Sequence, residues 1–162
     1  MTDMLCPLLL CPSPDTQKQK MADLGIIIRR PNPWERSKVY SYVAETFSQG
    51  WADESSIAFC HQPITCFTAW KGQLLVGFAA YECTRRGFFG PTGVSPDHEK
   101  QGIGTALLLN SLQGLRDLGY VYGIIGYTSS ERYYQKTVGA IAIPFGPAAS
   151  VYGPGPEGKK AP

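Results

Sequence analysis

Two glycines, Gly102 and Gly104, stand where the sequence GVSPDHEKQGIGTALLLNSL (93–112) changes from a polar loop into a leucine-rich helix. Glycine weakens a helix, and helix starts are usually built with Ser, Asp, Asn or Pro. The first N–H groups of a helix lack intrahelical partners and lie at its positive dipole end, and a residue without a Cβ lets an anion reach them. The spacing therefore predicts that a phosphate contacts the backbone at Gly102 and Gly104.

Two well-known glycine motifs that bind phosphate require a spacing that this sequence lacks. A GxxxxGK[ST] nucleotide loop requires Lys and then Ser or Thr after its last glycine, and neither glycine is followed by them. A dinucleotide fingerprint requires a third glycine where Leu107 stands. A tight turn that fits glycine without binding any ligand remains as the alternative.

The stretch TGVSPDHEKQGIGTALL (92–108) resembles the coenzyme A signature of the GCN5-related N-acetyltransferase (GNAT) superfamily. That signature is a strand, a polar loop and Q/R-x-x-G-x-G/A at a helix start. Gly102 and Gly104 match its glycines, and Glu99 stands where the family generally carries Gln or Arg. The resemblance implies acetyl-CoA as cosubstrate. It places the coenzyme on two sets of residues: Thr92, Gly93 and Val94 for the pantetheine arm, and Lys100, Gln101, Gly102, Ile103, Gly104 and Thr105 for the pyrophosphate.

The segment ERYYQKTVGA (131–140) resembles the motif that follows the family's fifth strand. By this resemblance Tyr133 packs and Tyr134 is the general acid that protonates the coenzyme thiolate. The spacing to Gly139 is one residue longer than usual, and GYTSS replaces the region where many members carry Asn. A tyrosine with an ordinary pKa near ~10 suits this role, since that value is not far above a thiol's.

Candidates for the catalytic base and for the lining of the acceptor cleft follow from the predicted strand or helix in which each residue lies. Glu82, at the end of a predicted strand, is the first candidate base. Asp53, Glu54, His61 or a chain of water molecules are the alternatives. Aromatic residues are expected to line the cleft, and because side chains alternate along a strand only one of two adjacent phenylalanines can do so. These residues are Trp51, Tyr81 and one of Phe88 and Phe89, with Phe89 preferred.

The surrounding elements are predicted in the order β-α-α-β-β-β-α-β-α-β. The strands are LGIIIRR, ITCFTAWK, QLLVGFAAYE, GFFGPTGVS, YVYGIIGYT and AIAIPF, with SVYG as a further candidate. The helices are 32–47, a short one in DESSIAFCH capped near Asp53, 101–118 and one in SSERYYQKT. This order predicts an α/β protein with a mixed sheet covered by helices on both sides. The resemblance narrows it to the acyl-CoA N-acyltransferase (GNAT) fold, with a mostly antiparallel sheet and splayed strands 4 and 5.

Length and composition indicate one domain of 162 residues with a formal net charge of +2, too small to argue for a nucleic-acid or membrane partner. Five cysteines without a CxxC pair and only two histidines argue against a disulfide framework or a metal site, and favour reduced thiols in the cytoplasm. Apolar runs fall short of the ~20 residues that span a bilayer. We expect a flexible extension over 1–22, a single domain over 23–153 and a flexible tail over 154–162.

Together these observations predict an N-acetyltransferase that moves an acetyl group from acetyl-CoA to a primary amine by direct attack in a ternary complex. The acceptor is expected to be a small molecule or a peptide, and the protein a monomer or homodimer. The alternative is a non-catalytic acyl-CoA-binding module that senses the coenzyme or regulates a partner.

Overall fold

The computed structural model describes residues 1–145 and 150–153 of the chain. Within them, short 3-10 helices connect the main elements. The strands are β1 (Thr2–Pro7), β2 (Ile26–Arg29), β3 (Cys66–Lys71), β4 (Leu74–Tyr81), β5 (Phe88–Val94), β6 (Tyr122–Thr128) and β7 (Ile141–Ala142). The α-helices are α1 (Lys18–Asp23), α2 (Arg36–Thr46), α3 (Gln49–Ser56), α4 (Ile103–Asp117) and α5 (Glu131–Val138).

The strands form one sheet in the order β2-β3-β4-β5-β6-β1-β7. Strands β2 to β5 are antiparallel neighbours, β5 and β6 are parallel, and β1 lies antiparallel between β6 and β7. The parallel pair is joined through α4, as a crossover connection requires. The predicted mixed, mostly antiparallel sheet is confirmed.

Strands β5 and β6 pair over two residues only, where Phe88 and Phe89 at the start of β5 lie opposite Ile124 and Ile125. From Thr92 to Val94, β5 pairs with β4 alone. Pro91 has no N–H to donate to a neighbouring strand, which suits the place where the pairing ends. The predicted splay between the family's fourth and fifth strands is therefore present between β5 and β6.

Helices cover both faces of the sheet. The predicted leucine stripe of α4 is buried on one face, with Leu108, Leu112 and Leu115 each at most 1 % exposed. On the other face, Val39 of α2 and Ala52 of α3 join a second buried cluster. No described helix has the length and apolar character needed to cross a membrane.

The N-terminal segment differs from the expected flexible extension. Residues Met4, Cys6 and Leu8 are buried in alternation, and β1 pairs with β6 from Thr2↔Thr128 to Pro7↔Tyr122. This alternation of burial is typical of a strand. Pro7 is the last residue of the strand, and helix α1 follows, with residues 18–22 also expected to be flexible.

Three smaller differences concern element boundaries. Helix α3 begins at Gln49 because the Ser48 hydroxyl accepts a hydrogen bond from the Trp51 N–H at 3.1 Å, so Ser48 rather than Asp53 is the cap. Residues 150–153 form turns and bends instead of a strand, and β7 is only two residues long. The tail predicted over 154–162 lies outside the described residues.

The packing of β1 predicts a large stability cost for Met4→Ala. Met4 is 0 % exposed, so the substitution leaves a cavity and should lower the free energy of unfolding by about 2–5 kcal/mol in a denaturant titration. Leu10→Ala is the matched control, because Leu10 is 80 % exposed and its loss should change stability by less than about 0.5 kcal/mol. Equal stability of the two variants would show that β1 does not contribute to the fold.

Candidate active site between the splayed strands

The N-terminus of α4 lies beside the opening between β5 and β6. Gly102 is its N-cap residue, with φ of 89° in the left-handed region and no side-chain cap. A Cβ on Gly104 would touch only Val94 Cγ2, at an ordinary 3.8 Å. The positive φ of Gly102 therefore favours glycine at that position, and the space over Gly104 is open among the described residues.

A cavity of about 610 Å³ extends from this helix end along β5, and we call it the loop cavity. Most residues predicted to hold the coenzyme line it. They are Thr92, Gly93, Val94, Lys100, Gly102, Ile103, Gly104 and Thr105, together with Tyr133 and Tyr134. Gln101 is the exception: its side-chain amide points back to the Asp97 carbonyl at 3.5 Å.

Two polar groups at the loop cavity were missed by sequence reasoning. His98 lines the cavity, and its buried Nδ1 atom has no hydrogen-bond partner among the described residues. The Lys20 ammonium, on α1, lies 2.9 Å from where a Cβ of Gly102 would be, and no described carboxylate forms an ion pair with it. An ammonium beside the positive end of a helix is unfavourable by itself, and a buried ring nitrogen without a hydrogen-bond partner is costly. Both groups therefore favour a bound anion at this place.

Tyr134, on α5, lies at the inner end of the loop cavity. Its ring packs edge-on against Tyr133 with a centroid distance of 4.9 Å and against Phe89 at 6.4 Å. The Tyr133 hydroxyl is paired with Thr105 Oγ1 at 3.0 Å, which ties α5 to the first turn of α4. Burial raises the pKa of Tyr134, and Tyr133 adds to the rise, so its phenol keeps its proton at neutral pH.

A second cavity, of about 550 Å³, lies on the other side of Tyr134, and we call it the acceptor-side cavity. It includes two of the three predicted aromatic cleft residues, Trp51 and Phe89. Four residues line both cavities, which therefore meet at one place. They are Phe89, Thr92, Ser130 and Tyr134.

Two predicted site residues, Tyr81 and Glu82, lie outside both cavities. The register of β4 with β5 shifts between Ala79 and Tyr81, and such an irregularity redirects the following side chains. The Tyr81 hydroxyl is buried and accepts a hydrogen bond from Arg30 at 2.7 Å. Glu82 has φ of 62°, and its carboxylate accepts from the Gly87 N–H and from the Tyr120 hydroxyl.

Of the alternative bases, the structure brings only Glu54 into the acceptor-side cavity. Glu54 Oε1 accepts hydrogen bonds from the hydroxyls of Thr84 and Tyr152. Asp53 instead accepts a bond from the Tyr40 hydroxyl at 2.5 Å, and His61 lines a separate depression together with Glu82.

The N-terminal strand also shapes this cavity. Tyr127, on β6, lines it with φ of 47°, an unusual conformation for a non-glycine residue. The Asp3 carboxylate stabilises it by accepting bonds from the Tyr127 N–H at 2.7 Å and the Ser150 hydroxyl at 2.8 Å. Among the residues described, no group of three or more His, Cys, Asp or Glu side chains could hold a metal ion.

A known protein family matches most of the chain. The family model described as "Acetyltransferase (GNAT) family" matches residues 36–140, well over half of the chain. The chain therefore belongs to the GNAT acetyltransferase family. A comparison with curated protein sequences finds no relative.

Solved structures of the same family share the fold at low sequence identity. The glucosamine N-acetyltransferase region of a fungal multi-domain GH3 β-N-acetylglucosaminidase superposes with a TM-score of 0.71 at 13% identity, covering 88% of this chain and 19% of that one. A GCN5-related N-acetyltransferase from Sphaerobacter thermophilus gives 0.62 at 19% identity, covering 88% and 48%. A GNAT acetyltransferase from Brucella melitensis, in complex with acetyl-CoA, gives 0.57 at 19% identity, covering 76% and 90%. This chain thus spans about a fifth to a half of the first two structures and most of the third.

Proposed function

We propose that the protein transfers an acetyl group from acetyl-CoA to a primary amine. The observation that carries this proposal is the meeting of the two cavities at Tyr134. One cavity begins at an uncapped helix N-terminus suited to phosphate, and the other is lined by aromatic rings and a carboxylate. A donor and an acceptor that enter from opposite sides would meet beside one phenolic proton.

The loop cavity suits the phosphate groups of coenzyme A. The Gly104 position leaves the N–H groups of the first α4 turn accessible, and Lys100 and His98 line the cavity next to them. Lys20 adds a positive charge from α1. The edge of β5 at Thr92–Val94 has no strand partner on the β6 side among the described residues, so its backbone groups can bond an extended arm.

Tyr134 is the residue that we assign to the departing sulfur. Acetyl-CoA supplies a thioester carbonyl, which the amine attacks in its neutral form. The new carbon–nitrogen bond forms as the carbon–sulfur bond breaks, the nitrogen gives up a proton to water, and the coenzyme leaves as its thiolate. The raised pKa of Tyr134 makes complete proton transfer from the phenol harder than in the sequence-based expectation. Its first contribution is then a hydrogen bond that stabilises negative charge on the sulfur.

Direct attack suits the acceptor-side cavity better than a covalent acetyl-cysteine, because no cysteine is among the described residues that line it. The non-catalytic module remains the competing hypothesis, and it predicts coenzyme binding without turnover of any amine. The five free cysteines favour a reducing compartment, so we expect a cytoplasmic protein, and a monomer or homodimer remains the expected assembly.

Gly104→Trp tests the loop cavity, with Gly104→Ala as the matched control, because the family signature allows Gly or Ala at this position. The indole would fill the open space over the first N–H groups of α4, so the Kd for acetyl-CoA measured by calorimetry should rise about tenfold or more. The control adds one Cβ that meets only Val94 Cγ2, at 3.8 Å, so it should keep most of the affinity while the free energy of unfolding stays equal or rises by about 0.5–1 kcal/mol. Unchanged affinity in Gly104→Trp would contradict phosphate binding at this helix end.

Tyr134→Phe tests the proton donor, with Tyr133→Phe as the matched control on the same helix. Loss of the Tyr134 hydroxyl should lower kcat about 100-fold or more, measured by release of the coenzyme thiol, while the affinity for acetyl-CoA stays close to that of the wild type. The control removes only the bond to Thr105 and should keep most of the rate. A Tyr134→Phe enzyme with full kcat would show that another group serves the sulfur.

A further inference from the structure

Five aromatic residues line the acceptor-side cavity, together with five Ser and Thr residues. Trp51 of α3, Phe89 of β5, Tyr127 of β6 and Tyr152 surround it, and Tyr134 closes it towards the loop cavity. These rings are rigid and apolar over most of their surface, so they favour a ligand with an apolar or aromatic body. Their faces also attract a cation.

The charged side chains around this cavity are of one sign. Glu54 is the single carboxylate among the described residues that line it, and no described Lys, Arg or His side chain lines it; Met1, which carries the α-amino group, is also part of the lining. A ligand that carries a carboxylate or phosphate would lose water there without gaining a cationic side-chain partner. A polyamine would bring several ammonium groups to one carboxylate.

The Glu54 carboxylate is held in place with part of it free. Both of its hydrogen bonds from described residues, from the Thr84 and Tyr152 hydroxyls, reach Oε1, and Oε2 has no hydrogen-bond partner among the described residues. Burial raises the pKa of Tyr152, so its hydroxyl stays protonated and continues to donate to Glu54. Trp51 lies three residues before Glu54 on α3, so the carboxylate and an aromatic wall share one helix face.

We infer that the acceptor is a small primary monoamine with an aromatic or aliphatic body and no anionic group, and that Glu54 determines this specificity by binding its ammonium. This inference rests on the proposed acetyl transfer, because it concerns the second substrate of the same site. Glu54 is placed to receive the ammonium while the apolar body contacts the rings. The amine nitrogen then lies in the cavity that Tyr134 shares with the loop cavity.

Calorimetric titration of the coenzyme A-saturated protein with four amines tests the inference directly. The probes are 2-phenylethylamine, phenylalanine, spermidine and glucosamine. We expect 2-phenylethylamine to bind about tenfold or more tightly than each of the others, because phenylalanine adds a carboxylate, spermidine adds charge and glucosamine removes the apolar body. Equal or tighter binding of any of the other three would overturn the inference, as would no binding of 2-phenylethylamine.

Glu54→Gln and Asp53→Asn separate the role of Glu54 from a general effect of charge on α3. Asp53 is exposed, bonds to Tyr40 and does not line the cavity, so its variant should bind 2-phenylethylamine as the wild type does. Glu54→Gln should weaken this binding about tenfold or more, with KM for the amine rising to match. Wild-type affinity in Glu54→Gln would overturn the assignment.

Measuring acetyl-CoA binding to the same variants distinguishes failure of the inferred acceptor class from failure of the proposed function. We expect both variants to bind acetyl-CoA with wild-type affinity, since neither residue lines the loop cavity. Acetyl-CoA binding without the expected amine preference would overturn the acceptor class alone. Failure of the wild type to bind acetyl-CoA would overturn the proposed function, and the amine titration repeated on the free protein would still decide the acceptor class.

Discussion

The divergence of β5 from β6 is the constraint on which the rest of the site depends. The two parallel strands are paired only at Phe88 and Phe89 of β5. Beyond Pro91, β5 is bound to β4 on one side, and its other edge faces the opening. Gly93 lets the Phe47 ring pack against the back of β5, because a Cβ there would lie 2.5 Å from that ring. The opening is thus stabilised by packing on the far side of the sheet.

The opening also requires that β6 be held from its other edge. That support comes from β1, which pairs with β6 along most of its length and is itself buried through Met4 and Cys6. The same N-terminal segment supplies Asp3 to the backbone of Tyr127 and Lys20 to the end of α4. The N-terminal residues therefore support both cavities, although they precede the part of the chain that matches the family model, residues 36–140.

Local patterns made the central elements predictable from sequence. The leucine period of α4 and the two glycines at its N-terminus depend on neighbours within one or two helical turns, and the structure places both as expected. The pairing of β1 with β6 joins residues more than a hundred positions apart, and local periodicity carries no information on such a partner. The sequence around this strand, MLCPLLL (4–10), is apolar at almost every position, so the alternating burial of Met4, Cys6 and Leu8 is visible only in the structure.

Side-chain direction at strand ends was the least predictable feature of the site. Glu82 and Tyr81 were expected in the acceptor cleft, but a register irregularity in β4 and a positive φ at Glu82 direct them elsewhere. Glu54 was only one of several alternatives, because its partner Tyr152 is 98 positions away and comes from a segment that was expected to be a strand. Lys20 could not be assigned without knowing where α1 packs.

Acetyl-CoA binding to the purified protein is the most direct measurement of the central claim that this helix end and strand opening hold an acyl-coenzyme. Calorimetric titration with acetyl-CoA, with ATP and NADH as controls, separates recognition of the whole coenzyme from general attraction of phosphate. We predict saturable binding of acetyl-CoA, much tighter than that of either control. Absence of acetyl-CoA binding, or equal binding of all three ligands, would contradict this account of the site.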